Sequence, residues 1–109
     1  MSDSKNNVND TLGFPTADRF ERDLSNAADA GEGCVIALVD LDHFDRINKM
    51  FGSAEGDRVL IETGRHLGDN LPEKTKLYRY GGDEFSLLFL DNPEKEDVFL
   101  MLEKIRQAY

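Results

Sequence analysis

Apolar residues along this chain recur either at helical spacing or in short unbroken runs. Phe20 and Leu24 predict a first helix over residues 18–28, which the turn DAGEG closes. The run CVIALVDLD then predicts a strand covered on both of its faces, because no polar residue interrupts it before Asp40. The two acids Asp40 and Asp42 therefore come directly after a predicted helix and a predicted strand.

The rest of the chain is predicted to form two further helices, two strands and a last helix. A short helix is predicted to end at Gly52, and Ser53 is expected to cap a longer one. The segments TKLYRY and EFSLLFL predict two strands, and Asn92 with Pro93 predicts the start of a last helix. The apolar faces of these three helices are Phe44, Ile47 and Phe51, then Leu60, Gly64, Leu67 and Leu71, then Val98, Leu102, Ile105 and Tyr109.

Two glycines separate the last two strands in the segment YRYGGDEFSLLFL. A two-residue hairpin turn at Gly81 and Gly82 is favoured, because glycine accepts positive φ without steric cost. With that turn Arg79 lies opposite Glu84, and Asp83 and Glu84 point to opposite faces. On these residues alone, an ordinary surface hairpin with a polar tip is the favoured explanation of the segment.

Asp40 and Asp42, at the end of the first strand, suggest a further use for the hairpin acids. If the strands are neighbours, two carboxylates from different strands and a backbone carbonyl form a hard-oxygen site suited to Mg²⁺ or Mn²⁺. Asp42 has a competing role as a helix cap. The backbone amides of His43 and Phe44 are expected to face phosphate oxygens, as helix N-termini do, whereas the His43 ring is assigned no role.

Composition narrows the classes of function. A formal charge of −9 argues against a general nucleic-acid or anionic-membrane binder. The single cysteine, Cys34, cannot form an internal disulfide, and no apolar run reaches membrane-spanning length, so a cytoplasmic protein without membrane contact is expected. Residues 1–10 read as a polar tail or linker end, and residues 11–109 as one domain.

The segments YRYGGDEF and ALVDLDHFDRINKMFGSAEGDRVL together resemble the GGDEF-domain family of diguanylate cyclases, which condense two GTP molecules into cyclic di-GMP. The resemblance implies an α+β, ferredoxin-like palm fold with a central antiparallel sheet and flanking helices. It also implies GTP as substrate, Mg²⁺ or Mn²⁺ as cofactor, and a second GGDEF domain in a catalytic homodimer. An upstream sensor or a downstream phosphodiesterase domain would be a further partner.

The resemblance also implies roles for individual residues. The metal ligands are Asp40, the carbonyl of Leu41, and Asp83, and Asp83 is the candidate base with Glu84 supporting it. The substrate-binding residues are Asn48, Asp57, His43, Phe44 and Gly82. For Asn48 and Asp57 the chemistry is plain, since a carboxylate accepts from guanine N1–H and N2–H₂ while an amide donates to O6. Without the family pattern, Asp57 reads as a stabiliser of a helix N-terminus and Asn48 as a solvated residue.

The chain departs from the family pattern in three places, and two of them, Asp45 and the early C-terminus, favour an alternative: a GTP-binding module that is catalytically weak or inactive and regulates a neighbouring domain. Asp45 stands where the family commonly carries a lysine near the phosphates. The segment PEKT, residues 72–75, replaces an Arg-x-x-Asp product-inhibition motif, so feedback at that site is not expected. The chain also ends before the family's C-terminal strands and helix, which suggests truncation and an open sheet edge.

Overall fold

A computed structural model describes residues 12–41 and 44–108 of the chain. The positions predicted at Thr11, Asp42, His43 and Tyr109, and the tail of residues 1–10, lie outside the described residues. In chain order the helices and strands are α1 (Ala17–Asp29), β1 (Val35–Asp40), α2 (Phe44–Phe51), α3 (Ser53–Asp69), β2 (Thr75–Arg79), β3 (Glu84–Phe89) and α4 (Lys95–Ala108).

The three described strands form one antiparallel sheet in the order β1-β3-β2. This arrangement confirms the predicted α+β class with a central antiparallel sheet. β3 lies in the middle and is the most buried strand, with five consecutive buried residues from Phe85 to Phe89. Because β3 pairs on both sides, its register fixes which residues of β1 and β2 come together.

One face of the sheet packs against α3 and α4. Phe85 from β3 lies in a core with Leu60 and Leu67 of α3 and Ile105 of α4, and a second cluster joins Leu87 and Phe89 to Val98. Full burial of each such side chain contributes about 1.5 to 3 kcal/mol, so this face supplies most of the hydrophobic stabilisation. The helical stripes predicted for α3 and α4 are confirmed at these positions.

The other face is only partly covered. Helix α1 contacts β2 and β3, and Phe20 packs there against Tyr78 and Leu88. The Tyr78 hydroxyl donates to Asp23 over 2.6 Å, which ties α1 to the sheet. The prediction that β1 is covered on both faces is wrong, because α1 does not extend over it and leaves Ile36 and Leu38 44% and 59% exposed.

The helix ends differ from the predicted caps. Gly52, with φ of 94°, is the N-cap of α3, and Ser53 is the first helical residue. Asn92 has a left-handed φ of 52° and its N–H donates to the Phe89 carbonyl, so a turn occupies the predicted start of α4. Phe51, expected on the inner stripe of α2, is 65% exposed.

No helix in the described ranges is both long enough and apolar enough to span a bilayer.

Candidate functional site

Four predicted site residues lie together where β1 ends beside the tip of the β2–β3 hairpin: Asp40, Leu41, Asp83 and Glu84. We call this group the acidic corner. Asp40 and Glu84 are directly opposite each other in the β1–β3 register. Cross-strand partners point to the same face, so the two carboxyl groups are neighbours. The Leu41 N–H donates to the Asp83 carbonyl over 3.0 Å and thereby joins the end of β1 to the loop.

The hairpin register is shifted by one residue from the predicted one. Arg79 pairs with Phe85, not with Glu84, and the Tyr80 N–H donates to the Glu84 carbonyl over 2.9 Å. The loop therefore contains Asp83 as well as both glycines, and neither glycine has a positive φ. The shift separates Glu84 from Arg79, while the β1–β3 register keeps Glu84 directly opposite Asp40.

Arg79 stabilises this longer loop instead of pairing with Glu84. Its guanidinium donates to the carbonyl of Gly81 over 3.2 Å and to that of Gly82 over 2.9 Å. Two donors from one rigid planar group fix the orientation of consecutive peptides. The basic side chain thus acts on the backbone of the hairpin and leaves the Glu84 carboxyl to its acidic neighbours.

The acidic corner changes the titration of Glu84. A hydrogen bond between its side chain and Asp40 raises the pKa of Glu84, and the charges of Asp40 and Asp83, with some desolvation, raise it further. Carboxyl groups that lie together resist simultaneous ionisation, because their negative charges repel each other. Without a compensating cation the corner therefore retains a proton more readily than an isolated glutamate does.

The acidic corner fits a small divalent cation by donor chemistry. Its groups are carboxylate and carbonyl oxygens, and Mg²⁺ in proteins commonly takes one or two carboxylates with the remaining positions left to water and phosphate. Within the described ranges no three acidic, histidine or cysteine side chains are grouped as a ready metal site. The fit therefore rests on the opposed pair of Asp40 and Glu84.

Three predicted residues, Phe44, Asn48 and Asp57, lie where α2 and α3 join, together with Gly56, which was not predicted. We call these four residues the glycine corner. The Gly52 N–H donates to the Asn48 carbonyl over 2.9 Å, which sets the turn between the helices. The half-buried Asn48 side chain lies against Gly56, with its Oδ1 1.8 Å from where a Cβ would stand. Asp57 follows as the fifth residue of α3, at an exposed position.

The structure thus brings Asn48 next to Gly56, the residue that precedes Asp57. Phe44 is half-buried at the start of α2, and its ring tip lies 3.4 Å from the same Cβ position at Gly56. Sequence reasoning missed Gly56. The available signal was a glycine inside a helical pattern, which costs roughly 1 kcal/mol relative to alanine and usually has a packing or functional reason.

Two open clefts lie away from both corners. One of about 420 Å³ lies between the end of α3 and α4, beside Asn70 and Met101. The other, of about 310 Å³, lies between α1 and β2, beside Arg19 and Lys76. Neither cleft is lined by a predicted site residue.

Comparison with known proteins gives consistent matches. A family model described as "Diguanylate cyclase, GGDEF domain" matches residues 16–109. Diguanylate cyclase DgcN of Escherichia coli K12 is 35% identical over 86 residues, which are 79% of this chain and 21% of that protein. The chain thus spans about a fifth of the length of this curated relative.

Solved structures match over most of the chain. The GGDEF domain of DgcB from Caulobacter crescentus, in complex with c-di-GMP, has a TM-score of 0.78 at 28% identity and covers 91% of this chain and 60% of its own. Diguanylate cyclase SiaD from Pseudomonas aeruginosa, in complex with its activator SiaC, has a TM-score of 0.77 at 29% identity. The match covers 98% of this chain and 43% of the SiaD chain.

Proposed function

Because the chain belongs to the GGDEF family of diguanylate cyclases, we propose that it is a GTP-binding module that condenses two GTP molecules into cyclic di-GMP when two copies face each other. The observation that carries this proposal is the opposition of Asp40 and Glu84 beside the loop of Asp83. Clustered carboxyl groups that repel each other are stabilised by a divalent cation, and a divalent cation is what a triphosphate substrate brings.

In this proposal Asp40, the Leu41 carbonyl, Asp83 and Glu84 hold Mg²⁺ or Mn²⁺. When bound, the ion supplies charge stabilisation at the phosphoryl oxygens and favours ionisation of the attacking hydroxyl. Glu84 therefore takes a larger part than the supporting role that family resemblance gave it. Its position directly opposite Asp40 is the reason.

The chain's own residues then bind the substrate and move a proton. Asp83 accepts the proton of the 3′-hydroxyl group of one GTP, and the O3′ of that GTP attacks the α-phosphorus of the other GTP, which releases pyrophosphate. The second phosphodiester bond forms in the same way and releases a second pyrophosphate. The backbone amide of Phe44, the first residue of α2, donates to phosphate oxygens. The amide of His43 is proposed, from the sequence alone, to do the same. At Gly82 no described atom lies within 4 Å of where a Cβ would stand, so the backbone is open to the nucleotide.

Asp57 and Asn48 read the base at the glycine corner. The Asp57 carboxylate accepts from guanine N1–H and N2–H₂, and the Asn48 amide donates to O6. Adenine lacks the donors that the carboxylate requires. A site built to hydrogen-bond such donors discriminates strongly against an analogue without them, because its polar groups are left unpaired.

Two copies are required because the product contains two guanylyl units and one module holds one GTP. We place the module in the cytoplasm, where GTP is available, with a sensor or phosphodiesterase domain as a further partner. The proposal also predicts that the initial rate of cyclic di-GMP formation rises faster than linearly with protein concentration.

A second candidate is a GTP-binding module without turnover that regulates a neighbouring domain. Asp45, exposed in the first turn of α2, favours it, because a negative charge there opposes the triphosphate. This candidate retains metal and guanine binding and loses only the condensation.

The test is incubation of the protein with GTP and Mg²⁺ and detection of cyclic di-GMP, beside a Mg²⁺-dependent GTP binding titration. Binding with product supports the cyclase, whereas binding without product at any protein concentration supports the regulatory module. The matched variants are Glu84→Gln, which should abolish both signals, and Glu73→Gln, an exposed acid before β2, which should change neither. Absence of Mg²⁺-dependent GTP binding by the parent protein would contradict both candidates.

A further inference from the structure

We infer that Gly56 is a specificity-determining position of the nucleotide site, because only a residue without a Cβ leaves room for the Asn48 amide at the glycine corner. The inference rests on the proposed function, in which Asn48 and Asp57 read guanine. Gly56 is buried in the first turn of α3 and immediately precedes Asp57. Consecutive Cα atoms are about 3.8 Å apart. The Asn48 amide, which fills the space that a Cβ of residue 56 would occupy, therefore also lies near the backbone of Asp57.

The distances at Gly56 identify the group that needs this space. A Cβ there would stand 1.8 Å from Asn48 Oδ1 and 2.8 Å from its Cγ, far inside contact distance. The next atom, Cζ of Phe44, lies at 3.4 Å, close to ordinary van der Waals contact. An added methyl group would therefore displace the Asn48 amide and leave the Phe44 ring nearly where it is.

The backbone of the corner does not depend on that amide. The Gly52 N–H donates to the Asn48 carbonyl over 2.9 Å, and the Gly56 N–H donates to the Gly52 carbonyl over 3.2 Å. Both bonds join main-chain atoms, which a methyl group on Gly56 leaves in place. Rotation of one short side chain relieves the clash, so Gly56→Ala should keep the fold while moving the amide.

The displaced amide can no longer donate to guanine O6, while the Asp57 carboxylate keeps its bonds to N1–H and N2–H₂. Loss of one neutral hydrogen bond should weaken GTP binding about fivefold to tenfold. ATP, which cannot satisfy Asp57, should be affected less, so the preference for GTP should narrow. Mg²⁺ binding at the acidic corner should be unchanged.

Helix α3 provides a matched control for the substitution. Gly68 lies in the same helix, and the nearest atom to a Cβ there is Leu77 Cδ2 at an ordinary 4.0 Å. Gly68→Ala therefore makes the same chemical change without meeting a neighbour. An effect of alanine on helix stability alone would appear in both variants, whereas displacement of Asn48 would appear only at Gly56.

The test is an NMR titration of the ¹⁵N-labelled 109-residue chain with Mg²⁺-GTP and with Mg²⁺-ATP, for the parent, Gly56→Ala, Gly68→Ala, Asn48→Ala and the double variant Gly56→Ala/Asn48→Ala. NMR measures weak affinities and follows the Asn48 side-chain amide directly. We expect Gly56→Ala to shift that amide resonance and lose GTP affinity, Gly68→Ala to match the parent, and the double variant to bind as Asn48→Ala does.

The inference is overturned if Gly56→Ala binds GTP like the parent, if its loss adds to that of Asn48→Ala, or if the variant no longer gives the spectrum of a folded protein. Each of these results would mean that the methyl group acts other than by moving Asn48. Equal affinity of the parent for GTP and ATP would instead contradict the proposed base reading. The two failures are therefore distinguishable in one experiment.

Discussion

The acidic corner and the glycine corner are positioned by different parts of the chain. At the acidic corner the antiparallel register sets Asp40 opposite Glu84, so main-chain hydrogen bonds position the functional carboxyls. At the glycine corner the Asn48 amide lies where Gly56 has no side chain. The opposed carboxyls of the first site therefore depend on main-chain pairing, whereas the second site also depends on the absence of a side chain at a residue that touches no ligand.

The largest effect that would test this comparison is the loss of metal binding on Asp40→Asn. Removing one of two opposed carboxylates should weaken Mg²⁺ binding by about 1.5 to 3 kcal/mol, roughly tenfold to a hundredfold in Kd, without altering the strand register. Titration calorimetry or NMR with Mg²⁺ measures the affinity. Asp69→Asn, at an exposed acid near the end of α3, is the matched control. Unchanged Mg²⁺ affinity in folded Asp40→Asn would contradict the assignment.

Gly64→Ala should show what a methyl group does where rigid neighbours, not a mobile amide, surround it. A Cβ there would lie 2.4 Å and 2.5 Å from the Phe14 ring and 3.2 Å from Phe85, two rings already packed edge to face with centroids 5.3 Å apart. Overpacking should lower the free energy of unfolding by about 1 to 3 kcal/mol, less the gain of up to about 1 kcal/mol from helix propensity.

Denaturant unfolding of Gly64→Ala beside Gly68→Ala makes the comparison, since Gly68→Ala should be neutral or slightly stabilising. Equal stability of the two variants would show that the sheet-facing side of α3 yields as easily as the glycine corner.

Asp57→Ser is expected to act at the level of base choice. Losing a charged acceptor for guanine N1–H and N2–H₂ should narrow the preference for GTP over ATP by about tenfold. Competition binding with the two nucleotides measures the ratio. Asp45→Ser, which removes an exposed acid from α2, is the control. It should increase the affinity for GTP and for ATP by the same factor, so that their ratio is unchanged. A ratio that is the same in parent and Asp57→Ser would remove Asp57 from the site.

The smallest expected effect is a pH dependence at the acidic corner in Mg²⁺-free solution. The hydrogen bond to Asp40 raises the pKa of Glu84 above its ordinary value of 4.5. The folded chain then binds a proton more tightly than the unfolded chain, so stability falls as pH rises from about 4.5 through the folded pKa.

Melting temperature against pH measures this dependence, and exposure of the corner keeps it small. Asp40→Asn should flatten the slope that Glu84 causes. If the melting temperature changes with pH equally in the parent and in Asp40→Asn between pH 4.5 and the folded pKa of Glu84, the contact between the two carboxyl groups is contradicted.

Local sequence patterns were sufficient for the secondary structure because each element carries its own periodicity. The helical spacing of Phe20 and Leu24, and of Leu60 and Leu67, predicted α1 and α3, and the runs around Tyr78 and Leu88 predicted two strands. What failed was decided by distant residues. Coverage of β1 depends on where α1 lies across the sheet, and no property of CVIALVDLD itself contains that information.

The candidate site was predictable as a set of residues but not as an arrangement. The motif GGDE fixed the hairpin, yet the β1–β3 register that places Glu84 opposite Asp40 and the two loop carbonyls that accept from Arg79 appear only in the structure. Likewise Asn48 and Asp57 stood out by chemistry, whereas the need for Gly56 appears only when α2 and α3 are seen in contact. Side chains were therefore predictable and backbone register was not.

The strand order also determines when the carboxyl groups come together during folding. The β2–β3 hairpin closes a short loop, whereas β1 reaches β3 only across α2, α3 and β2. Closing the longer loop costs more chain entropy and is expected to be the slower event. Because Asp40 and Glu84 belong to the β1–β3 register, the cation site is completed only when these nonlocal strand contacts form, and metal affinity should rise in the slow refolding phase.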